Sequence, residues 1–420
     1  MDPRREPTSP DPALVRGLTQ RRLSRRQLLR YAGVGAGALG LSPLLAACGT
    51  KGVSTPTGSP SSEAGLGSPE WWSKQTLHNQ FNFANWAYYI DTTHGKHPTL
   101  DQFTKKTGIK VNYDEAVNDN IAFFAKIRPD LAQGNYTGYD LIVSTDNDPP
   151  LTEMIELGWA IPLDQSMMTN FYKYASKLVQ DPPFDPGNKH SMAWQSGYTC
   201  IAYNTKYIKE PITSIQSLFD PKYKGKIGMM GIASELGSFG LLSIGKDPAT
   251  STPDDWKQAA AKLMDQKPLV RSYYDSSYIR ALKNEDTWIS MAWSGDIFYA
   301  STFEGYPQLK VVIPDEGAMF WTDYMLIPYT AENPLDAMTY MDSVYDPYVQ
   351  AQIEDYVGYV SPVPAAQAII LNQLHDPKVA NSPTVFPTSR MQALSRHYPQ
   401  WSSSEVIDGW NNTFVPIFQG

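Results

Sequence analysis

From residue 76 onward, apolar positions come in short bursts separated by turn residues. Leu77, Phe81 and Phe83 lead into Asn85-Trp86, and a helical stretch from Leu100 to Thr107 is closed by Gly108, the residue type that most readily adopts the left-handed end of a helix. Ile109, Val111 and Tyr113 then alternate with polar neighbours, which predicts a half-buried strand. Tyr139-Asp140-Leu141-Ile142-Val143 predicts a short strand. It runs into the polar turn Ser144-Thr145-Asp146-Asn147-Asp148-Pro149-Pro150, after which Met154, Ile155 and Leu157 fit a helix stopped at Gly158. Strand, polar turn, helix is the α/β unit whose ligands sit beyond the strand's carboxyl end. A bare helix N-terminus would favour anions. Asp146 and Asp148 occupy that place, so an anion-binding cleft is disfavoured, although either aspartate alone also suits ordinary helix capping. No internal repeat follows, which argues against a solenoid.

The first seventy residues are patterned differently. Ser24-Arg25-Arg26-Gln27-Leu28-Leu29-Arg30 precedes an apolar Gly/Ala-rich run from Tyr31 to Ala47, ending in Leu45-Ala46-Ala47 before Cys48. That run is short for a bilayer span and is interrupted by Pro43. It resembles a twin-arginine export signal (Arg25, Arg26) joined to a bacterial lipobox, which implies removal of residues 1–47 and acylation of Cys48. Between Gly49 and Pro69, 16 of 21 residues are Gly, Ser, Thr or Pro, too few apolar groups to fold, so residues 48–75 read as a lipidated cysteine on a flexible tether.

Composition narrows the function. The chain has 420 residues and a formal net charge of −8, which argues against a nucleic-acid groove. Loss of residues 1–47 would leave 27 basic and 40 acidic residues, an excess that draws in cations only weakly because most of it is solvated surface. With only Cys48 and Cys200, neither a disulfide framework nor a cysteine-built metal site can form in the folded part. Cys200 lies in the apolar run Tyr198-Thr199-Cys200-Ile201-Ala202-Tyr203, which predicts a buried strand and an inert thiol.

Several segments, in order across nearly all of residues 77–390, resemble the substrate-binding proteins of bacterial ABC importers, in particular the spermidine/putrescine-binding family. They are Asn85-Trp86-Ala87-Tyr88-Tyr89, Phe103 to Val111, Tyr139 to Val143, Phe184-Asp185-Pro186-Gly187-Asn188, Tyr223-Lys224-Gly225-Lys226, Ala292-Trp293-Ser294-Gly295, Glu316 to Asp323, and Gly358-Tyr359. The resemblance implies an α/β, two-lobe periplasmic-binding-protein fold that closes on a small ligand like a hinge. Matched by position, the crossovers fall near Gly197 and Asp323, with residues 76–196 and 323–367 in lobe one and 197–322 and 368–420 in lobe two. It further implies a monomer that delivers its ligand to a membrane permease, with no cofactor and no covalent chemistry.

The family's polyamine box carries over onto Trp86, Tyr89, Trp293, Trp321 and Tyr359 as aromatic walls, and onto Asp323 and Glu235 as carboxylates. Ser144 stands at the turn, and Asp146 matches an acid of some branches. Such a box suits ammonium groups, whose water shell must be replaced by carboxylate oxygens and aromatic faces. The chain also departs from the box. Ile232 stands where a second acid is usual, Ala87 where a threonine is found, and Asn147 where a bulky residue is common. The ligand is therefore expected to be a small organic cation, a polyamine such as putrescine or spermidine, with a choline-like compound or agmatine as the alternative.

Ferric iron is a rival ligand, because Tyr88-Tyr89 and Tyr273-Tyr274 are adjacent pairs, but neighbours in a strand face opposite sides. An enzyme is the rival class. No His-Glu-x-x-His pair, Gly-x-Ser-x-Gly elbow or Walker loop occurs, and Gly35 to Gly40 matches a dinucleotide spacing only inside the export signal. His94 and His97 fall in a loop of turn residues, and Pro149-Pro150 follow Asp146-Asn147-Asp148 where a calcium loop needs glycine. Glu235 with Asp323 could do acid/base work, but the cation box explains their aromatic company better.

Overall fold

A computed structural model describes residues 65–419; Arg25, Arg26 and Cys48 lie outside them. The apolar bursts form β1 (Gln80–Trp86), β2 (Lys110–Val117), β3 (Leu141–Thr145), β4 (Ser191–Asn204), β5 (Ile227–Met230), β6 (Val270–Tyr274), β7 (Ile289–Trp293), β8 (Leu309–Val312), β9 (Ala318–Leu326) and β10 (Ser395–Arg396). All join one sheet in the order β2-β1-β3-β9-β4-β7-β5-β6, with β8 beside β4 and β10 beside β9.

Two parallel halves make up this sheet. β1, β2 and β3 pair in parallel, and so do β5, β6 and β7. Helices such as Pro98–Thr107 and Asn120–Gln133 in the first half, and Ala233–Ser243 and Pro253–Gln266 in the second, carry the crossovers. The halves are joined by β4 and β9, which pair antiparallel from Ser191↔Leu326 to Thr199↔Met319. β3 attaches at Thr145↔Asp323 and beyond, while β7 attaches at the other end of β4, from Thr199↔Trp293 to Tyr203↔Ile289. Each half is thus the core of one lobe, and the two-lobe α/β fold follows from two strands long enough to serve both. Those strands are buried almost throughout, as strands covered on both faces must be.

The individual elements obey their sequence signals. The helix Pro98–Thr107 has proline in its first turn and ends at Gly108 with φ 82°. The predicted helix after the polar turn spans Pro149–Glu156. Cys200 is buried on β4, and burial pushes its thiol well up. One boundary differs. The tether expected to reach residue 75 gives way earlier to packed chain, because Pro69–Ser73 form a short helix whose Trp72 is 3% exposed and donates its indole N–H to Pro162 O at 2.9 Å. Trp71 and Trp72 supply the apolar area that the Gly/Ser/Pro stretch lacks.

Candidate functional site

The carboxyl ends of β3, β5 and β7 converge on the middle of β9. β3 ends at Thr145 and turns through Asp146-Asn147-Asp148; β5 ends at Met230 before the helix Ala233–Ser243; β7 ends at Trp293 before the helix Ser294–Thr302. β9 brings Trp321 and Asp323 between them.

Asp323 is the first fixed point. Tyr89 Oη donates to its Oδ2 at 2.7 Å, and the Thr145 hydroxyl donates to its Oδ1. A second carboxylate lies one position past the matched Trp293-Ser294-Gly295, and the sequence reading missed it. Asp296 Oδ1 accepts from Tyr359 Oη at 2.8 Å, and its Oδ2 from Tyr278 Oη at 2.6 Å. Tyr278 in turn accepts the Trp293 backbone N–H at 2.9 Å. The two acids are linked through aromatic rings. Tyr89 and Tyr359 meet edge to face with centroids 5.7 Å apart, and Trp321 lies 5.4 Å from Tyr359. Tyr89, Trp321, Tyr359 and Asp323 are all buried. The tyrosine hydroxyls thus fix the orientation of both acids.

Glu235 is placed differently. It sits in the first turn of the helix Ala233–Ser243, is 0% exposed, and accepts from Tyr398 Oη at 2.8 Å and Asn147 Nδ2 at 3.3 Å. Thr199 and the Trp293 side chain also hydrogen-bond to it. Burial raises its pKa and these hydrogen bonds oppose the rise. Tyr398 lies in the divergent segment after Phe386, which sequence reasoning left empty. Ile232 caps the same helix without a side-chain hydrogen bond.

The turn acids do other work than capping. Asp148 makes no side-chain cap to its own helix; its Oδ1 accepts from Ser234 Oγ at 3.2 Å, across the cleft. Asp146 Oδ1 accepts the Thr322 backbone N–H at 2.9 Å. Burial, with the charges of Asp323 and Glu235, pushes Asp146 well above the ordinary carboxylate range. Burial, with Asp119 and Glu235, pushes Asp148 up to about 7.

Not every predicted residue joins this group. Ser144 Oγ donates to Asn120 Oδ1 at 2.8 Å, on the opposite face of β3 from Thr145, as strand alternation requires. Trp86 is half-buried at the end of β1, and its carbonyl accepts from Tyr113. The tyrosine pairs do not converge. Tyr89 is bound to Asp323, whereas Tyr273 packs toward Phe418 of the C-terminal helix, their centroids 6.4 Å apart. Among the described residues no group of three or more His, Cys, Asp or Glu is arranged to hold a metal ion.

This geometry has relatives. The model of the bacterial extracellular solute-binding protein family matches residues 99–388. The spermidine/putrescine-binding periplasmic protein of Escherichia coli is 30% identical over 310 residues, covering 74% of this chain and 83% of that protein. Among solved structures, the spermidine/putrescine ABC transporter substrate-binding protein PotD of Streptococcus pneumoniae aligns with a TM-score of 0.69 and 24% identity, over 80% of this chain and 98% of that one. A putative spermidine/putrescine ABC transporter from Listeria monocytogenes aligns with a TM-score of 0.67 and 26% identity, over 81% and 98%. The chain belongs to the bacterial extracellular solute-binding proteins, the binding components of ABC importers, and works by capturing a solute and not by catalysis.

Proposed function

We propose that the chain captures a polyamine, putrescine or spermidine as named for its relatives, in the cleft between its lobes and hands it to a membrane permease. The observation that carries this reading is the line Asp323–Tyr89–Tyr359–Asp296, in which two hydroxyl-oriented carboxylates are separated by aromatic faces. An ammonium at each end can take a carboxylate, while the methylene chain lies against Tyr89, Trp321 and Tyr359, with Trp86 and Trp293 at the margins. Each aromatic face contributes about 0.5–2 kcal/mol to holding a cation, so several together are needed for tight capture.

Lobe one comprises residues 76–196 and 323–367 in this reading, joined by the short helix at Pro69–Ser73, and lobe two the remainder. The hinge lies near Gly197 and Asp323, where β4 and β9 pass from one parallel half to the other. The twin-arginine pair Arg25-Arg26 exports the chain and a lipid on Cys48 holds it, as a monomer, outside the cytoplasmic membrane. The test is a thermal-shift screen of the purified chain against putrescine, spermidine, agmatine, choline and ferric citrate. Ligand at a thousand times its Kd adds about 4 kcal/mol and raises the melting point by several degrees. A rise with a polyamine supports the reading. A rise only with choline or ferric citrate leaves the family intact and overturns the ligand.

A further inference from the structure

Consecutive residues of β4 hold the site from behind. The β4–β9 ladder bulges between Ala193 and Gln195, which makes Trp194 the extra residue, and the Trp194 indole N–H donates to the Tyr89 carbonyl at 3.1 Å. Gln195 resumes the register directly opposite Asp323, where paired side chains share a face with their Cβ atoms about 4.5–5.5 Å apart. Ser196 exchanges both backbone hydrogen bonds with Val360, at 2.7 and 3.1 Å.

Val360 closes a short span that begins at Glu354. The helix Pro347–Val357 ends at Gly358, φ 72°, whose N–H donates to the Glu354 carbonyl at 2.9 Å; Tyr359 follows, and then Val360 meets Ser196. The Glu354 side chain is fully buried, and its Oε1 accepts from Gln350 Nε2 at 2.9 Å. Its Oε2 and both polar atoms of the Gln195 amide are buried without a well-formed hydrogen bond. Burial holds the Glu354 carboxyl well above the ordinary carboxylate range, and the neighbouring Gln350 and Gln195 amides offset this only in part. A buried acid and amide left short of partners cost stability, and such groups persist where function needs them.

We propose that Glu354 is a positioning residue of the binding site: its carboxyl group, engaged with the Gln195 amide, clamps the helix Pro347–Val357 to β4 and so fixes the spacing of Tyr359 from Asp323. In this clamp Glu354 is neutral. Gln350 occupies Oε1, so Oε2 carries the proton and donates to Gln195 Oε1, which satisfies both orphaned oxygens. The Ser196–Val360 bridge fastens the far end of the span, and Tyr359 is held between the two fastenings. The proposal rests on the polyamine reading above for its ligand, and it gives neither Glu354 nor Gln195 a contact with that ligand.

The experiment is calorimetric titration of the full chain with putrescine, alongside ligand-free melting, for Glu354→Leu, Glu354→Gln, Gln195→Leu and the double leucine variant. Leucine fills space without hydrogen bonds, and replacing both members of a buried polar pair by apolar groups is nearly neutral or stabilising for a fold. Glu354→Leu and Gln195→Leu are each expected to weaken putrescine binding about tenfold, and the double variant no further, because the two side chains act as one unit. Glu354→Gln offers one acceptor and one donor, as the neutral acid does, and is expected to recover most of the loss. The double variant is expected to melt at or above the temperature of the unaltered chain, which separates a clamp on the site from a support of the fold. Should one single leucine variant fail to fold, the other and the double variant carry the comparison. Putrescine binding unchanged in the double variant, losses that add across the two positions, or a Glu354→Gln as weak as Glu354→Leu overturns the proposal and leaves the polyamine function standing. If the unaltered chain binds neither putrescine nor spermidine, the polyamine function falls and the clamp falls with it.

Discussion

In the proposed complex Asp323 takes an ammonium directly, and it is also wired to two hydroxyls, so its charge and its shape can be separated. Asp323→Asn keeps one acceptor oxygen for Tyr89 or Thr145 but removes the charge that an ammonium needs. Losing one partner of a desolvated charge pair costs about 2–5 kcal/mol, so polyamine affinity should fall by roughly 30-fold to several thousandfold in calorimetry. The ligand-free melting temperature should not fall with it, because Asp146 is already crowded by the charge of Asp323. A parallel loss of stability and affinity would mean that Asp323 serves the fold and not the ligand. That Asp323, Trp321, Tyr89 and Tyr359 lie together was legible in the sequence because they sit inside ordered segments of a known pattern. Asp296 was not, since an acid in the first turn of a helix reads equally well as a complement to the helix dipole. Thr145 and Ser144 show the same limit at its narrowest. Both are small hydroxyl residues at one turn, and only the pleat of β3 decides which of them meets Asp323.

At the scale of elements, the binding surface depends on backbones that come unusually close to rings. Gly197 on β4 stands opposite Trp321 on β9, and a Cβ added there would meet Trp321 Cζ2 at 2.3 Å. The indole therefore lies over bare backbone, which sets its height in the cleft. Gly197→Ala must push the ring or the strand aside. It should cost about 1–3 kcal/mol, read as a lower denaturation midpoint, and weaken ligand binding in addition. If stability falls while affinity is unchanged, Trp321 is not a wall of the site. Element existence was readable from alternation and from stop signals such as Gly108 and Gly158. That β4 and β9 would be shared by two sheet halves was not, because pairing between residues more than a hundred positions apart leaves no periodicity. The docking of Trp72 was hidden for a related reason: a five-residue helix has too few positions to show an amphipathic stripe, and its partner Pro162 is remote in sequence.

At the scale of the molecule, the meeting of the two sheet halves gathers carboxyl groups that are far apart in the sequence. Asp148 from the β3 turn meets Ser234 from the opposite lobe, with Asp119 and Glu235 nearby, and is pushed up to about 7; Asp146 and Glu235 are raised as well. A carboxyl whose pKa in the folded state exceeds its unfolded value holds its proton longer in the folded state. Between about pH 4 and pH 7 the folded protein then binds more protons than the unfolded chain, so stability falls as pH rises through that window. A bound diamine opposes this trend, because positive charge near these groups favours their ionised forms. The ligand-free protein should therefore melt at a higher temperature near pH 5 than near pH 7.5, and the extra stability given by saturating polyamine should be greater at the higher pH. Asp148→Asn, which removes one raised group while keeping an acceptor for Ser234, should flatten the ligand-free slope. Melting curves at half-unit pH intervals decide the matter. A ligand-free melting temperature that rises steadily from pH 5 to pH 7.5 would mean that the acids are not pressed together in the ligand-free protein, and that the lobes stand open until the cation draws them in.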